Sequence, residues 1–471
     1  MDHKLPFHKV LKMKDILAIA FGAMIGWSWV INTGDWVLEA GYLGASIAFL
    51  VGGIMIIFVG LTYAELTAAI PECGGEHIFC LRALGGNASF ICSWAIIFSY
   101  IATAAFEAAA FPAVIKYIVG ERFDIGLLYH IGDTPIYASY CITGVVFSLL
   151  ITYVNIRGIE VAAKLQKVLT SIILLTGALL ILIAVLRGNP MNLASNLFGA
   201  QNSVSSPKSV LGSILTITCM TPCLFAGFDI IPQTAGEIIV SFRKIGKVMV
   251  LSICLAIAWY LLIIFGVSNI LPLSAIADSM ENGLVTADAM ALAFASPVMG
   301  DVLIIGGMCG IITSWNAFLL GGSRALFSLA DYGMIPTVFG KIHSKYNTPW
   351  AAICLCGAAC IISPFFGRSV LIPLVNVASF GCCIAYFMVS VSFLTLRKKE
   401  PHLHRPYRVR HGSFVGYTAC ILTACMLLLY IVPVPFAQSA LIWQEWAIVF
   451  LWMILGCFFY SASKCTAFSL T

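Results

Sequence analysis

Two stretches of the chain place helix-interrupting residues inside long apolar sequence. The first is Gly22-Ala23-Met24-Ile25-Gly26-Trp27-Ser28, and the second runs from Thr218 to Asp229 and contains Pro222 and Gly227. Proline removes a backbone donor, and glycine lowers helix propensity. Where a helix opens, its N–H groups can bind a carboxylate and its carbonyl oxygens an ammonium group or a cation. The two stretches therefore favour binding of a zwitterion, and ordinary kinks packed by neighbouring helices are the alternative.

Two acidic residues lie within apolar sequence, where an ionised side chain is costly and is usually functional. Asp229 closes the second interruption, and a cap or an ion pair with a cytoplasmic base is its alternative role. Glu107 lies in the alanine-rich stretch Ala102 to Ala110, whose small side chains suit close helix packing. We expect Glu107 nearer the outer surface than both interruptions, where it could attract cations, carry a proton or pair with Lys116.

The composition defines the class of protein that must position these residues. Of 471 residues, 61% are hydrophobic and 10% are charged, which excludes an ordinary water-soluble domain. A membrane-spanning helix needs about 20 mostly apolar residues, and twelve such stretches predict an all-α membrane protein with 12 transmembrane helices. The predicted spans are 16–38, 43–69, 90–118, 136–155, 161–186, 210–239, 245–271, 302–329, 350–366, 370–396, 415–433 and 441–461.

The basic residues predict the orientation of these spans. The loops on one side hold 21 of the 26 Lys and Arg residues. Cytoplasmic loops retain positive charge, so both termini are expected in the cytoplasm. Topology and anionic membrane lipids then explain the net charge of +5, and no nucleic-acid partner is needed. The first apolar stretch is too long for a cleavable signal peptide and is expected to stay as the first span.

The cysteines and histidines do not form a metal-binding pattern. Most of the 17 cysteines lie in apolar spans and are expected to act as small core side chains. The sequon Asn87-Ala88-Ser89 falls on the predicted cytoplasmic side, and the tails are short, which favours a bacterial protein of the cytoplasmic membrane. We expect no cofactor beyond a coupling proton or sodium ion, and no obligate protein partner.

The two interruptions lie in spans one and six, the first members of two successive groups of five. Broken helices at corresponding positions of two repeats mark the central site of a transporter. With five spans in each repeat, the second copy is inverted in the membrane.

Five motifs, in order along essentially the whole chain, resemble the amino acid, polyamine and organocation (APC) superfamily of transporters. They are Gly22 to Gly26; Tyr63-Ala64-Glu65-Leu66 with Pro71 and Gly74-Gly75; Asn155-Ile156-Arg157-Gly158; Phe225-Ala226-Gly227-Phe228-Asp229 with Glu237; and Gly322-Ser323-Arg324-Ala325-Leu326-Phe327 with Tyr346-Asn347-Thr348-Pro349. The resemblance implies alternating access and a five-plus-five inverted-repeat core with broken helices 1 and 6, followed by two C-terminal helices. The implied divisions are a cytoplasmic tail (1–15), a first repeat (16–186), a second repeat (207–396), a basic cytoplasmic loop (397–412), helices 11 and 12 (413–462) and a cytoplasmic tail (463–471).

The resemblance also implies a solute site between spans one and six. The implied substrate-binding residues are Ala23, Met24, Ile25, Gly26, Trp27, Ser28, Thr221, Phe225 and Gly227. Phe225 matches an aromatic residue that covers the solute, and it is grouped with Asp229 and Glu107 as the expected gating or coupling residues. Trp27 departs from the family pattern and either fills the pocket or turns outward. With Trp29, Phe225 and Phe228 it could form an aromatic wall that attracts an ammonium group.

The coupling ion is less constrained. Thr313 and Ser314 in span eight resemble the hydroxyl pair of a sodium site, although such hydroxyls also occur in relatives that do not use sodium. In several sodium-independent relatives a span-five lysine replaces that cation, and the position that we align with it here is Ile173. The Gly74 to Gly85 segment, with Glu76 and His77, is interpreted as a short surface helix.

These observations favour a secondary active transporter that moves a small amino acid across the cytoplasmic membrane, by proton or sodium symport or by exchange. A transporter of a carboxylate-free amine or polyamine is the alternative, since Trp27 could displace a carboxylate. Asp35 and Glu39, near the outer end of span one, favour a cationic or zwitterionic solute. A transporter-like sensor would have the same sequence features. We expect neither a channel nor an enzyme, because no repeated selectivity element and no catalytic set are evident.

Overall fold

The structure is a computed structural model that describes residues 7–132, 134–199, 210–434, 437 and 440–468. These residues form helices and one antiparallel hairpin, β1 (Leu127–Ile131) with β2 (Thr134–Tyr137). The α-helices are α1 Met13–Ile25, α2 Ser28–Ile31, α3 Thr33–Ala69, α4 Glu76–Leu84, α5 Gly86–Val119, α6 Ala138–Ile156, α7 Ile159–Arg187, α8 Pro190–Ser195, α9 Val210–Leu224, α10 Ile230–Gln233, α11 Phe242–Ile270, α12 Leu273–Asn282, α13 Val285–Phe294, α14 Pro297–Asp331, α15 Trp350–Ile362, α16 Gly367–Lys399, α17 Gly412–Ile431 and α18 Trp443–Phe468.

The predicted all-α membrane architecture is confirmed. Within the described residues, ten helical segments are long and apolar enough to cross a membrane, and each overlaps a predicted span. The predicted sixth and ninth spans correspond to shorter apolar helices, Val210–Leu224 and Trp350–Phe365. The count of twelve therefore stays a prediction. The predicted boundary at 207 and the outermost parts of both tails lie outside the described residues.

The transition between the first two predicted spans is set by Gly41. Within α3 this residue has φ +73° and ψ 173°, which divides the helix into two pieces. A side chain at Gly41 would lie 2.5 Å from the Leu197 carbonyl oxygen and 2.6 Å from the Phe198 backbone. The positive φ and the crowded backbone both favour glycine, so the chain turns between the spans at the place where the sequence predicts a boundary.

Glycines also bring the long helices together in the core. Helix α3 packs along α11 and α9, and α5 packs against α14 and α16. Side chains at Gly53 and Gly60 of α3 would lie 2.6 Å from Ile257 and 2.2 Å from Ile253 of α11. Small residues allow such close approach where the hydrophobic effect alone gives little drive for helix association. Helix α1 contacts α7, α11 and α14, so the first predicted break lies among the central helices.

Candidate functional site

The first predicted break is present at Gly26. Helix α1 ends at Ile25, and Gly26 has φ +49° and ψ −139°, in the left-handed region that favours glycine. The next helical turn, α2, begins at Ser28. The backbone N–H groups of Trp27 and Ser28 make no hydrogen bond to any residue that the structure describes. The break therefore presents two backbone donors that an anionic group could satisfy.

The second predicted break is centred on Gly227 and not on Pro222. Pro222 lies within α9, which continues to Leu224, while Gly227 has φ +139°. The Gly227 N–H donates to Asp229 Oδ1 at 2.7 Å, so the acidic side chain holds the opened backbone. Asp229 Oδ2 also accepts a hydrogen bond from the Tyr386 hydroxyl at 3.4 Å. Asp229 is fully buried, and no ion pair joins it to a basic side chain in the described part of the chain.

The two breaks lie directly against each other. A side chain at Gly227 would be 2.6 Å from the Ala23 Cβ and 3.0 Å from the Met24 nitrogen. The Tyr260 hydroxyl of α11 donates to the Met24 carbonyl oxygen at 2.8 Å. It also lies 3.3 Å from the Ile25 carbonyl oxygen and 3.5 Å from the Leu224 carbonyl oxygen. Tyr260 thus links the opened carbonyl groups of spans one and six.

Helix α14, the predicted eighth span, packs on the first break. A side chain at Gly310 would lie only 1.9 Å from the Gly26 carbonyl oxygen. The Thr313 hydroxyl lies 3.1 Å from the Gly22 carbonyl oxygen and 2.8 Å from that of Gly310. The Cβ and Oγ atoms of Ser314 would be 3.6 Å from a side chain at Gly26. The structure thus brings Thr313 and Ser314 to the break, and sodium binding there stays a prediction.

A network of neutral side chains connects spans one, five and eight. Gln166 Nε2 donates to the Ala18 carbonyl oxygen at 3.4 Å and to the Thr313 carbonyl oxygen at 3.2 Å. The Asn316 amide donates to Gln166 Oε1 at 2.8 Å. A side chain at Gly22 would meet Thr170 Oγ1 at 2.6 Å and Gln166 Nε2 at 2.7 Å. Gln166 and Thr170 are thus span-five residues beside the break, and the alignment of Ile173 with the lysine position stays a prediction.

Glu107 lies deeper than its sequence position indicated. A side chain at Gly26 would lie 3.6 Å from Glu107 Oε1, which places this carboxylate beside the first break and not nearer the outer surface. Lys116, the partner considered for Glu107, instead forms an ion pair with Asp124 at 2.6 Å. The correction strengthens the link between Glu107 and the first break, because the carboxylate lies beside Gly26.

Two predicted binding residues point away from the junction of the breaks. The Thr221 hydroxyl donates to the Thr218 carbonyl oxygen at 2.7 Å. The Thr221 side chain is pressed against Gly52 of α3, where a Cβ would be 2.1 Å from Thr221 Oγ1. The Trp27 ring lies against Gly307 of α14, where a Cβ would be 2.0 Å from it. Of the two positions considered for Trp27, the structure shows the packed one.

The four aromatic residues predicted to form one wall each have different neighbours. Phe225 contacts the rings of Phe49 and Tyr260, with centroids 6.1 and 5.6 Å away. Phe228 contacts Tyr63 and Tyr386 at 5.3 and 5.4 Å. Trp29 packs edge-on against Trp259 at 5.4 Å, and Trp27 lies on Gly307. Phe225 is the one of the four whose ring contacts Tyr260, and its role in covering the solute stays a prediction.

The segment interpreted as a surface helix contains buried groups. Glu76 and His77 of α4 are 0% and 1% exposed. The Gln233 amide of α10 donates to Glu76 Oε2, while Glu76 Oε1 and His77 Nε2 have no partner in the described structure. Burial, followed by the nearby charge of Asp229, raises the pKa of Glu76 above its usual value. Burial lowers the pKa of His77 to about 4. In the sequence, the feature that could have indicated this buried group was the acidic residue directly after Gly74-Gly75.

Contacts on the predicted cytoplasmic side close the approach to the breaks. Leu11 pairs with Ile238 in a parallel bridge, and its N–H donates to the Glu237 carbonyl oxygen at 3.0 Å. The Glu237 side chain forms a buried ion pair with Arg324 at 3.0 Å. Asp15 binds Lys167 at 2.7 Å. Residues from the N-terminal segment, α7, α14 and the end of span six thus meet below the site.

Short helices close the opposite side. The Thr286 hydroxyl of α13 donates to the Trp29 carbonyl oxygen at 3.1 Å. A side chain at Gly34 would lie 2.5 Å from Val285 of α13 and 2.6 Å from Met280 of α12. Phe225 and Asp229 at the breaks are themselves fully buried.

Many membrane-spanning helices and two facing helix breaks define a multi-pass membrane protein of the permease class. Residues 11–460 match the family described as Amino acid permease. The chain belongs to this family, within the APC superfamily.

Relatives are similar over most of their length. The branched-chain amino acid permease BcaP of Bacillus subtilis is 23% identical over 400 residues, covering 84% of this chain and 82% of the relative. The methylthioribose transporter of B. subtilis is 23% identical over 451 residues, covering 92% and 91%. The aspartate-proton symporter of the same organism is 24% identical over 441 residues, covering 89% and 78%.

Proposed function

We propose that this protein is a secondary active transporter that moves a small α-amino acid across the cytoplasmic membrane by alternating access. The observation that carries the proposal is the direct contact between the breaks at Gly26 and Gly227, with the N–H groups of Trp27 and Ser28 left without an acceptor. A solute carboxylate would satisfy these donors. Two of the relatives are named for amino acids, which supports the same solute class.

The ammonium group of the solute would find negative potential close by. Glu107 Oε1 lies beside Gly26, and Asp229 lies two residues beyond Gly227. Because Trp27 packs against Gly307, its ring leaves the junction of the breaks to the solute. Phe225 would cover the bound solute from the α11 side, where it contacts Tyr260.

Thermal stabilisation of the detergent-purified protein tests the solute class. A ligand that binds only the native state stabilises it, by about 2.7 kcal/mol at a hundredfold excess over its dissociation constant. One panel contains α-amino acids, and the second contains the amines that remain when the carboxyl group is removed. We expect a subset of the amino acids to raise the melting temperature while the matching amines do not. Stabilisation by the amines alone would replace this function with the transport of amines.

A matched pair of glycine variants assigns the binding to the first break. Gly26→Ala and Gly333→Ala each place a side chain on a residue with positive φ, +49° and +67°, so both variants strain the backbone. Gly333 has open space around it. We expect Gly26→Ala to lose the amino-acid shift and Gly333→Ala to keep it. Equal ligand shifts in both variants would remove the first break from solute binding.

For the coupling ion we infer a proton carried by Asp229. This buried carboxylate is bonded to a backbone N–H and a tyrosine hydroxyl, and isolated buried charge is costly. Its protonation is therefore sensitive to any movement of span six. The Thr313 hydroxyl lies within hydrogen-bond distance of two carbonyl oxygens, those of Gly22 and Gly310, and its one proton can be donated to either.

Asp229→Asn keeps a side-chain oxygen for the Gly227 N–H but cannot exchange a proton. In proteoliposomes we expect this variant to lose accumulation driven by a pH gradient and to keep exchange of solute across the membrane. Glu160→Gln, which removes an exposed carboxylate paired with Lys164, is the control. Gradient-driven accumulation by Asp229→Asn would contradict the inference. A sodium dependence that disappears in the Thr313→Ala, Ser314→Ala variant would assign the coupling to sodium instead.

We infer from the distribution of basic residues that both termini lie in the cytoplasm. A reporter domain that is active only in the cytoplasm should be active when it is fused to either end. An active periplasmic reporter at either end would reverse the orientation.

A further inference from the structure

A basic pocket lies where α16 ends and α17 begins, away from the helix breaks. It is a cavity of about 230 Å³ whose polar lining comes from Arg397, Lys398, Arg405, Arg408, Ser413 and Tyr417. Four of these six side chains are cationic. A general excess of basic residues in the cytoplasmic loops would not by itself bring four of them to one cavity.

Part of this charge is fixed in place by Glu65 at the end of α3. Arg397 binds the Glu65 carboxylate through Nε at 2.9 Å and Nη2 at 2.5 Å. Arg405 Nε lies 3.1 Å from Glu65 Oε1, and the Val409 N–H donates to Glu65 Oε2 at 2.7 Å. These contacts hold the loop in one conformation, so the pocket is preorganised. The Glu65 carboxylate is shared by Arg397 and Arg405, and the neighbouring Glu400 carboxylate is paired with Arg82, so the four cations that line the pocket are only partly neutralised.

The remaining cations have no anionic partner. Lys398 and Arg408 are exposed and take part in no ion pair with any described residue. Burial lowers the pKa of Arg405 from its usual value; Glu65 opposes this shift, and the nearby charges of Arg397 and Arg408 add to it. A bound anion would relieve this crowding of positive charge.

The start of α17 adds backbone donors to the same pocket. Val415 makes the first helical hydrogen bond, to His411, so the N–H groups of the three preceding residues lie outside the helical ladder. Ser413 in this first turn also lines the cavity. Cationic side chains, a hydroxyl and helix-terminal N–H groups together form the donor set that binds a phosphate group.

An apolar stripe continues from the pocket along α17. Phe414, Tyr417 and Ile421 lie on one face of this helix and are 65%, 50% and 61% exposed. Phe414 also packs edge-on against Phe58 of α3. Since α17 is long and apolar enough to cross a membrane, this stripe lies against acyl chains. The pocket and the stripe are thus arranged like the head and tail of a phospholipid.

We propose that this pocket binds the phosphate of an anionic phospholipid, whose acyl chain lies along Phe414, Tyr417 and Ile421. Basic pockets between membrane helices on the cytoplasmic side are suited to such headgroups. Because the lipid would join the α3 and α16 ends to α17, it would stabilise the contact between the helix core and the C-terminal helices.

Short-chain lipids added to the detergent-purified full chain test the site. The probes are dioctanoyl phosphatidylglycerol and dioctanoyl phosphatidylcholine, with inorganic phosphate as a separate arm, and binding is followed by native mass spectrometry and thermal unfolding. The site variant is Lys398→Gln with Arg408→Gln. The control, Arg243→Gln with Lys244→Gln, removes the same charge from the exposed start of α11. All four residues are exposed, so both variants should fold.

We expect phosphatidylglycerol to bind the wild type and the control variant more tightly than phosphatidylcholine does. The site variant should lose about tenfold or more of that affinity, since two basic contacts to the headgroup are removed. Equal affinity for the two lipids, or equal losses in the two variants, would overturn the proposal. Inorganic phosphate that stabilises the wild type as strongly as the lipid would overturn the lipid assignment, because the site would then serve a soluble anion. These readouts need no transport, so their failure is distinct from failure of the proposed function.

Discussion

Gly310→Ala tests the packing that holds the first helix break. The added Cβ would lie 1.9 Å from the Gly26 carbonyl oxygen, and ordinary contact begins at 3.4 Å. Span one and α14 must therefore separate by about 1.5 Å, since both crowded groups are attached to backbone and cannot rotate away. Overpacking of this kind costs about 1–3 kcal/mol, of which the better helix propensity of alanine offsets about 1 kcal/mol.

The same displacement would move the N–H groups that the solute carboxylate needs. Loss of one hydrogen bond to a charged group costs about 1.5–3 kcal/mol, which corresponds to roughly a 10- to 100-fold loss of affinity. We expect Gly310→Ala to melt at a lower temperature and to bind the stabilising amino acid correspondingly weakly. Thermal unfolding at a series of ligand concentrations measures both quantities.

Gly266→Ala in α11 is the matched control. Its Cβ would meet only side-chain atoms of Ala184 and Leu180, at 3.7 and 3.8 Å, which is ordinary contact. This variant should gain up to about 1 kcal/mol of stability from helix propensity and keep its ligand affinity. Wild-type affinity and melting temperature in Gly310→Ala would refute the close approach of α14 to the first break.

Three further predictions concern the stability of the site. Arg324→Met should lower the free energy of unfolding by about 3–5 kcal/mol, because it leaves Glu237 buried and unpaired. Adding Glu237→Leu should recover most of this loss. If thermal unfolding finds the double variant no more stable than the single variant, a buried pair is contradicted. His77 stays neutral in the fold down to about pH 4, whereas the unfolded chain takes up its proton near pH 6.5. The stability of the wild type should therefore fall as the pH is lowered from 6.5 towards 4, and the stability of His77→Gln should fall less steeply. The exposed His404→Gln variant should keep the wild-type slope, and identical slopes in all three proteins would show that His77 is not buried. Tyr260→Phe should lower both stability and solute affinity, because the opened carbonyl group of Met24 loses its donor. Unchanged melting and binding would exclude that link.

Features encoded locally could be predicted from the sequence. A run of about 20 apolar residues forms a span regardless of its neighbours, because a membrane requires internal backbone hydrogen bonds. Gly26, Gly41 and Gly227 adopt positive φ in the structure, and the breaks and the boundary at these residues follow from their own backbone freedom. Pro222 was the weaker signal, since α9 continues past it for two residues.

Features set by distant residues could not be predicted in the same way. The depth of Glu107 depends on how α5 is placed against span one, and the direction of Trp27 depends on the space left by Gly307 in another helix. Burial of Glu76 requires Gln233 of α10, which is far away in the sequence. Each of these positions is decided by a contact between helices, and one sequence contains no record of which helices meet.

Uptake into proteoliposomes tests the central claim most directly. Purified protein is reconstituted with an inward pH gradient, and accumulation of the best-stabilising α-amino acid is compared with that of its decarboxylated amine. We predict accumulation of the amino acid above its external concentration, loss of that accumulation when the gradient is collapsed, and neither transport of nor competition by the amine. Binding of the amino acid without any flux, or accumulation of the amine in its place, would contradict an amino acid transporter built on the breaks at Gly26 and Gly227.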